Sequence, residues 1–139
     1  MASDPTRERS GDAAAVVPLL LVLTTEADGE RAEALARQLL QRRLAACIAI
    51  QPIRSIYRWQ GQLECSEEVQ LLIKTHPLQL TALHGALLAL HSYTTPQWIV
   101  WPAQADAAYG AWLASGCGFS AGGSPPAPAD SPGGADPAG

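Results

Sequence analysis

Apolar residues along the chain follow three different spacings. Leu19 to Thr25, LLLVLTT, is continuously apolar and stops at EADGE. A run of that length predicts a strand buried on both faces. From Gly29 to Arg43 the spacing becomes helical, with Ala32, Leu35, Ala36, Leu39 and Leu40 on one stripe. Asp28 is placed to cap that helix, and Glu30 and Glu33 sit at the positive end of its dipole. Ala46 to Trp59 and Gln62 to Thr75 then read as two long strands joined at Gln60-Gly61. A two-residue turn there pairs Ile48 with Ile73, Ile50 with Leu71 and Pro52 with Val69 on one apolar face. The other face pairs Cys47 with Lys74, Ala49 with Leu72, Gln51 with Gln70 and Ile53 with Glu68, and continues to Tyr57 and Trp59.

Pro77 to His91 predicts a second helix, with Leu80, Leu83, Leu87 and Leu90 as its stripe. Trp98 to Trp101, WIVW, predicts a short strand ended by Pro102. Asp106 is placed to cap a last short helix carrying Tyr109, Trp112 and Leu113. The order strand, helix, strand, strand, helix, strand, helix defines an α+β fold. It is a ferredoxin-like βαββαβ sandwich with a long β-hairpin and a short C-terminal helix. Two helices on one face of the sheet leave the other face exposed, with Ala49, Ile53, Tyr57, Trp59 and Leu72 on it. Another copy of the chain is the economical cover for such a patch.

Composition marks off the two ends. Half of the residues from Gly118 to Gly139 are Gly or Pro, so residues 118–139 are expected to form a disordered tail. Residues 1–15 are expected to form a flexible arm, leaving residues 16–117 as the folded domain. Within that domain Arg31, Arg37, Arg42, Arg43, Arg54, Arg58 and Lys74 face Glu26, Asp28, Glu30, Glu33, Glu64, Glu67, Glu68 and Asp106, a net of 7 − 8 = −1. A near-neutral surface of this kind excludes nucleic acid as the main partner. The run AAAVVPLLLVL is too short to span a bilayer and reads as a buried strand, so no membrane role is expected. Cys47, Cys65 and Cys117 are odd in number and widely spaced, which implies no disulfide framework and fits a reducing, cytoplasmic setting.

Several segments together resemble the CutA family, the divalent-cation tolerance proteins. RLAACIAI (Arg43 to Ile50) is similar to its helix-end and second-strand segment. SIYRWQGQLE (Ser55 to Glu64) keeps its Ser-x-Tyr-x-Trp-x-Gly pattern, and EVQLLIKT (Glu68 to Thr75) its Glu-to-Lys-Thr strand. His91, Tyr93 and Pro96 sit as in its His-Pro-Tyr-x-x-Pro turn, and Tyr109 and Trp112 match its last helix. The resemblance runs from about Leu21 to Leu113. It implies a homotrimer whose hairpins wrap neighbouring subunits, an architecture shared with the PII signalling proteins, and a role in tolerance of copper and other divalent metals. Where members with a proposed copper site carry a cysteine and paired histidines, this chain has Thr24, Leu90 and His91. Ser92 replaces the proline after the histidine, and Gln97 the glutamate after the second proline.

Candidate chemistry is sparse. No structural zinc spacing is present, nor any GxSxG, HExxH or P-loop. His84 and His91, seven apart on the predicted helix, lie about 10 Å from each other and do not share an ion. His91 is the one candidate metal ligand, for weak copper or another divalent cation, and no cofactor is required. Glu68 and Lys74 point to one face of their strand, and an interface ion pair fixing register is favoured there over a catalytic pair. The expected function is therefore a non-enzymatic CutA-like homotrimer. The alternative is a PII-like regulatory module that binds a small anionic ligand in the inter-subunit cleft, at Tyr57, Trp59, Glu68, Lys74, His91 and Tyr93.

Overall fold

The computed structural model describes residues 15–120. Most of the predicted arm and tail therefore lies outside the described residues. The element order is β1 (Val16–Glu26), α1 (Gly29–Gln41), β2 (Cys47–Trp59), β3 (Gln62–Thr75), a 3-10 turn (Pro77–Gln79), α2 (Leu80–Leu90), β4 (Ile99–Asp106) and α3 (Ala107–Gly116). The strands form one antiparallel sheet in the order β2-β3-β1-β4. This is the predicted α+β, ferredoxin-like arrangement.

The ribbon β2–β3 has the register read from the sequence, from Cys47 opposite Lys74 to Trp59 opposite Gln62. Its turn holds because Gln60 (φ 51°) and Gly61 (φ 80°) are both left-handed. Such a mirror-image turn matches the twist of the flanking strands and lets them continue without a bulge. Asp28 caps α1 by accepting from the Arg31 N–H at 2.8 Å. The helix ends at Gln41, two residues before the predicted end. Arg43 turns left-handed (φ 58°), Leu44 N donates to Leu39 O and Arg43 N to Leu40 O, which closes the last turn.

Two apolar clusters lie on opposite faces of the sheet. In the larger one, Val22, Leu71 and Ile73 pack beneath Ala32, Leu35, Ala36 and Leu39 of α1 and Leu83 and Leu87 of α2. The smaller one joins Leu19 of β1 to Leu113 of α3 and to Cys117. Val22 and Leu19 are both buried, so β1 is covered on its two sides as its unbroken apolar run implies.

Four expectations need correction. The second sheet face is not left to a partner alone, because α3 lies on its β1–β4 end. Gly110 approaches so closely that a Cβ there would fall 1.9 Å from Val17 Cγ2. Periodicity gave the helix but not the side of the sheet it takes. Strand β4 does not stop at Pro102; it runs to Asp106, with Pro102 opposite Leu20. A proline is tolerated there because β4 is an edge strand. The second helix does not begin at Pro77 or reach His91. A 3-10 turn precedes it, and His91 is its extended C-cap (φ −71°, ψ 147°). Finally, Gly118 and Phe119, assigned to the tail, are packed: Phe119 N donates to Ala114 O at 2.8 Å and its ring stacks on His76.

Candidate functional site

The end of β1 carries polar residues in the core. Thr24, Thr25 and Glu26 are all buried, Glu26 to 1% exposure. They meet the segment that follows α2. Because α2 ends at Leu90, the His91 backbone leaves the helix and its ring turns inward over Thr24 and Thr25. The ring nitrogens are assigned by their partners. Tyr93 N donates to His91 Nδ1 at 3.0 Å, so Nδ1 is an acceptor. The Thr25 carbonyl, 2.5 Å from Nε2, only accepts, so the proton is on Nε2. Thr24 Oγ1 is 3.5 Å from the same nitrogen.

Glu26 is satisfied on both oxygens. Ser92 N donates to Oε2 at 3.0 Å, Ser92 Oγ to Oε1 at 2.5 Å, and Ala27 N to Oε1 at 3.1 Å. Its Oε2 lies 3.5 Å from His91 Nδ1. A buried carboxylate is tolerated only when donors replace its water in this way. Ser92 supplies two of them, and a proline at that position has neither the N–H nor the hydroxyl. The serine at 92 thus matches the glutamate at 26.

Glu68 lies one position beyond the end of the β1–β3 pairing, on the second face. Ser55 Oγ donates to its Oε1 at 3.0 Å, and Tyr93 Oη to its Oε2 at 2.8 Å. Burial first, and then that bond to Glu68, push the Tyr93 phenol up to about 12. Tyr93 also leans on the His91 ring, with centroids 5.0 Å apart. The turn at 91–93 is therefore tied on one side to the core end of β1 and on the other to the ribbon.

Of the six residues expected to share a site, His91, Tyr93 and Glu68 are brought together. Tyr57 stands at their margin, its hydroxyl 3.4 Å from Ser66 Oγ. Trp59 lies further out, at the ribbon tip, 59% exposed. Lys74 is elsewhere. Six residues separate it from Glu68 along β3, about 20 Å, and its Nζ is 5.8 Å from the Tyr109 ring centroid. His84 is apart too, stacked on Trp98 with centroids 4.2 Å apart. Among the described residues no group of three His, Cys, Asp or Glu side chains is placed to hold a metal ion. Sequence reasoning passed over Glu26. Its one signal was an acidic residue closing an otherwise apolar strand.

A ferredoxin-like sheet with an overlong ribbon and an internally paired polar cluster defines a small α+β protein of the CutA type. The chain belongs to the CutA1 divalent ion tolerance protein family, whose profile matches residues 20–116. It is 42% identical over 96 residues to the divalent-cation tolerance protein CutA of Pectobacterium atrosepticum, covering 68% of this chain and 87% of that one. With the CutA of Thermus thermophilus it shares 39% over 100 residues, 70% of this chain and 97% of the relative. The solved structure of CutA from Synechococcus elongatus superposes with a TM-score of 0.72 at 36% identity, covering 76% of this chain and 98% of that one. The structure of the periplasmic divalent cation tolerance protein CutA from Archaeoglobus fulgidus gives 0.69 at 30%, over 71% and 98%. No helix among the described residues is long and apolar enough to cross a membrane.

Proposed function

We propose that this protein acts in divalent-cation tolerance as a non-enzymatic homotrimer, with the β2–β3 ribbon of each subunit wrapping a neighbour. The carrying observation is the outer half of the ribbon. Ile56 and Leu63 are each 71% exposed on one face, and Tyr57 (42%) and Trp59 (59%) on the other. An apolar surface on both sides of a ribbon that its own helices do not reach calls for a partner, and closed symmetry supplies copies of the same chain. Chemical cross-linking of the intact protein at low concentration should give a ladder that stops at three; a single band at one chain contradicts the assembly.

The non-enzymatic reading is supported by the pairing within the cluster. Glu26, Glu68 and both nitrogens of His91 already hold protein partners. The same pairing supports weak copper binding at most: a metal at Nδ1 must displace the Tyr93 N–H, and one at Nε2 must displace a proton and the Thr25 carbonyl. Calorimetric titration with Cu²⁺ should show no tight site that depends on His91. One tight site per chain, lost in His91→Ala, contradicts this. The unpaired cysteines favour a reducing cytoplasm, and cell fractionation tests that against the periplasmic location named for the Archaeoglobus relative. The alternative of an anion-binding module gains nothing from the geometry, since the cluster beside Tyr57 holds carboxylates and the lysine is about 20 Å away.

A further inference from the structure

We propose that Cys117, Gly118 and Phe119, beyond the residues the family profile matches, close a proton-sensitive clasp on the corner formed by Arg43, Thr75, His76 and Gln79, and that protonation of His76 opens it and loosens α3 from the second sheet face.

The clasp is made of specific contacts. After α3 the chain turns back, with Gly118 left-handed (φ 89°), Gly118 N donating to Ser115 O and Phe119 N to Ala114 O. That turn puts the Phe119 ring on His76, with centroids 4.5 Å apart and planes 26° from parallel. Gln79 Nε2 bridges two elements, donating to Arg43 O at 2.8 Å and Cys117 O at 3.0 Å. Arg43 Nη1 reaches Ser115 O at 3.4 Å. Cys117 is fully buried, its sulfur 3.9 Å from Thr75 Oγ1, which donates to Leu44 O at 2.8 Å. Three residues thus join the end of α3, the end of α1 and the junction of β3 with α2.

His76 is the titratable part. It caps the 3-10 turn, its Nδ1 accepting from Leu78 N at 3.0 Å. Only the neutral ring with its proton on Nε2 accepts there. In the imidazolium both nitrogens carry protons, so no flip of the ring restores the acceptor. The ring must turn away from Leu78, and Phe119 loses the plane it stacks on. The groups around His76 do not favour a proton. On the clasp stands the Cys117 thiol, which burial pushes up and which the His76 backbone N–H faces. Past the end of α1 stands Arg43, and on β3 Lys74, turned to the Tyr109 ring. Among the described residues no carboxylate is paired with His76, and burial holds its imidazole below the ordinary value. A lowered folded value means the contribution is fully present above the unfolded value, near 6.5, and is lost as pH falls through the folded one.

Amide exchange on the intact protein, corrected for the intrinsic effect of pH, tests this locally. Between about pH 7.5 and pH 5, protection of residues 113–119 should be progressively lost in the wild type. It should stay constant in His76→Asn, whose side-chain oxygen accepts from Leu78 without titrating. Phe119→Ala should show the low protection already at the higher pH. The histidine ring proton of His76, followed by NMR in the wild type, should titrate below the ordinary histidine value. Equal pH dependence in wild type and His76→Asn, unchanged protection in Phe119→Ala, or a His76 titration at or above the ordinary value overturns the clasp.

Discussion

The base and the tip of the β2–β3 ribbon are built alike and buried differently. At the base Leu71 and Ile73 are 0% exposed beneath α1 and α2, while at the tip Ile56 and Leu63 are 71% exposed and Trp59 59%. One register runs through both; the base carries Ile48, Ile50, Leu71 and Ile73, and the tip Ile56, Tyr57, Trp59 and Leu63. The base is a core that this chain completes for itself. The tip carries large apolar side chains that nothing among the described residues covers, and the proposed assembly would cover them. Under the proposed assembly, the ribbon divides the protein's stability into a part that belongs to the subunit and a part that belongs to the trimer.

That division is broken most easily at the base. Leu71→Ala removes a side chain from the middle of the larger cluster and should cost about 2–5 kcal/mol, read by urea unfolding at matched protein concentration. If the loss is no larger than at an exposed tip residue, the base is not the subunit's own core. Next in size is Glu26→Ala. It strands the Ser92 and Ala27 N–H groups that the carboxylate now satisfies, and should cost about 1–3 kcal/mol. Ser92→Pro removes donors from the same carboxylate and should fall in the same range; an unfolding midpoint equal to wild type in both contradicts the pairing drawn here.

A smaller effect is expected where the two regions are tied. Tyr93→Phe deletes the bond to Glu68 and should cost about 1 kcal/mol near neutral pH. The Tyr93 phenol is raised to about 12 from the usual 10. A raised folded value means the contribution is fully present below pH 10 and is lost as pH rises through 12. The gap between wild type and Tyr93→Phe should therefore close in that window. A gap that is independent of pH removes Tyr93 from the link between turn and ribbon.

Much of this architecture was legible in the residues, for physical reasons that can be named. Ribbon register follows from alternation plus a two-residue turn, since a slip of one residue puts Ile48, Ile50, Leu71 and Ile73 on the wrong face. Both N-caps, Asp28 and Asp106, were readable because their job is local. What was not legible depends on contacts distant in sequence. The side of the sheet taken by α3 rests on Gly110 meeting Val17. The burial of Glu26 rests on Ser92, 66 positions away. Pro102 suggested a strand end, yet it sits on an edge where its missing N–H is tolerated. His91 was placed on a helix face because a leucine stripe does not mark the residue where the helix stops.

Sedimentation velocity decides whether other copies of the chain cover the ribbon tip. Wild type and Trp59→Ala are compared at micromolar concentration and on dilution. Trp59 buries some 150–250 Å² if a neighbour covers it, and as an anchor of the interface its loss should cost roughly 2 kcal/mol. Wild type should sediment as a trimer at every concentration, and Trp59→Ala should dissociate on dilution while keeping its secondary structure. A wild-type protein that sediments as a monomer contradicts the account.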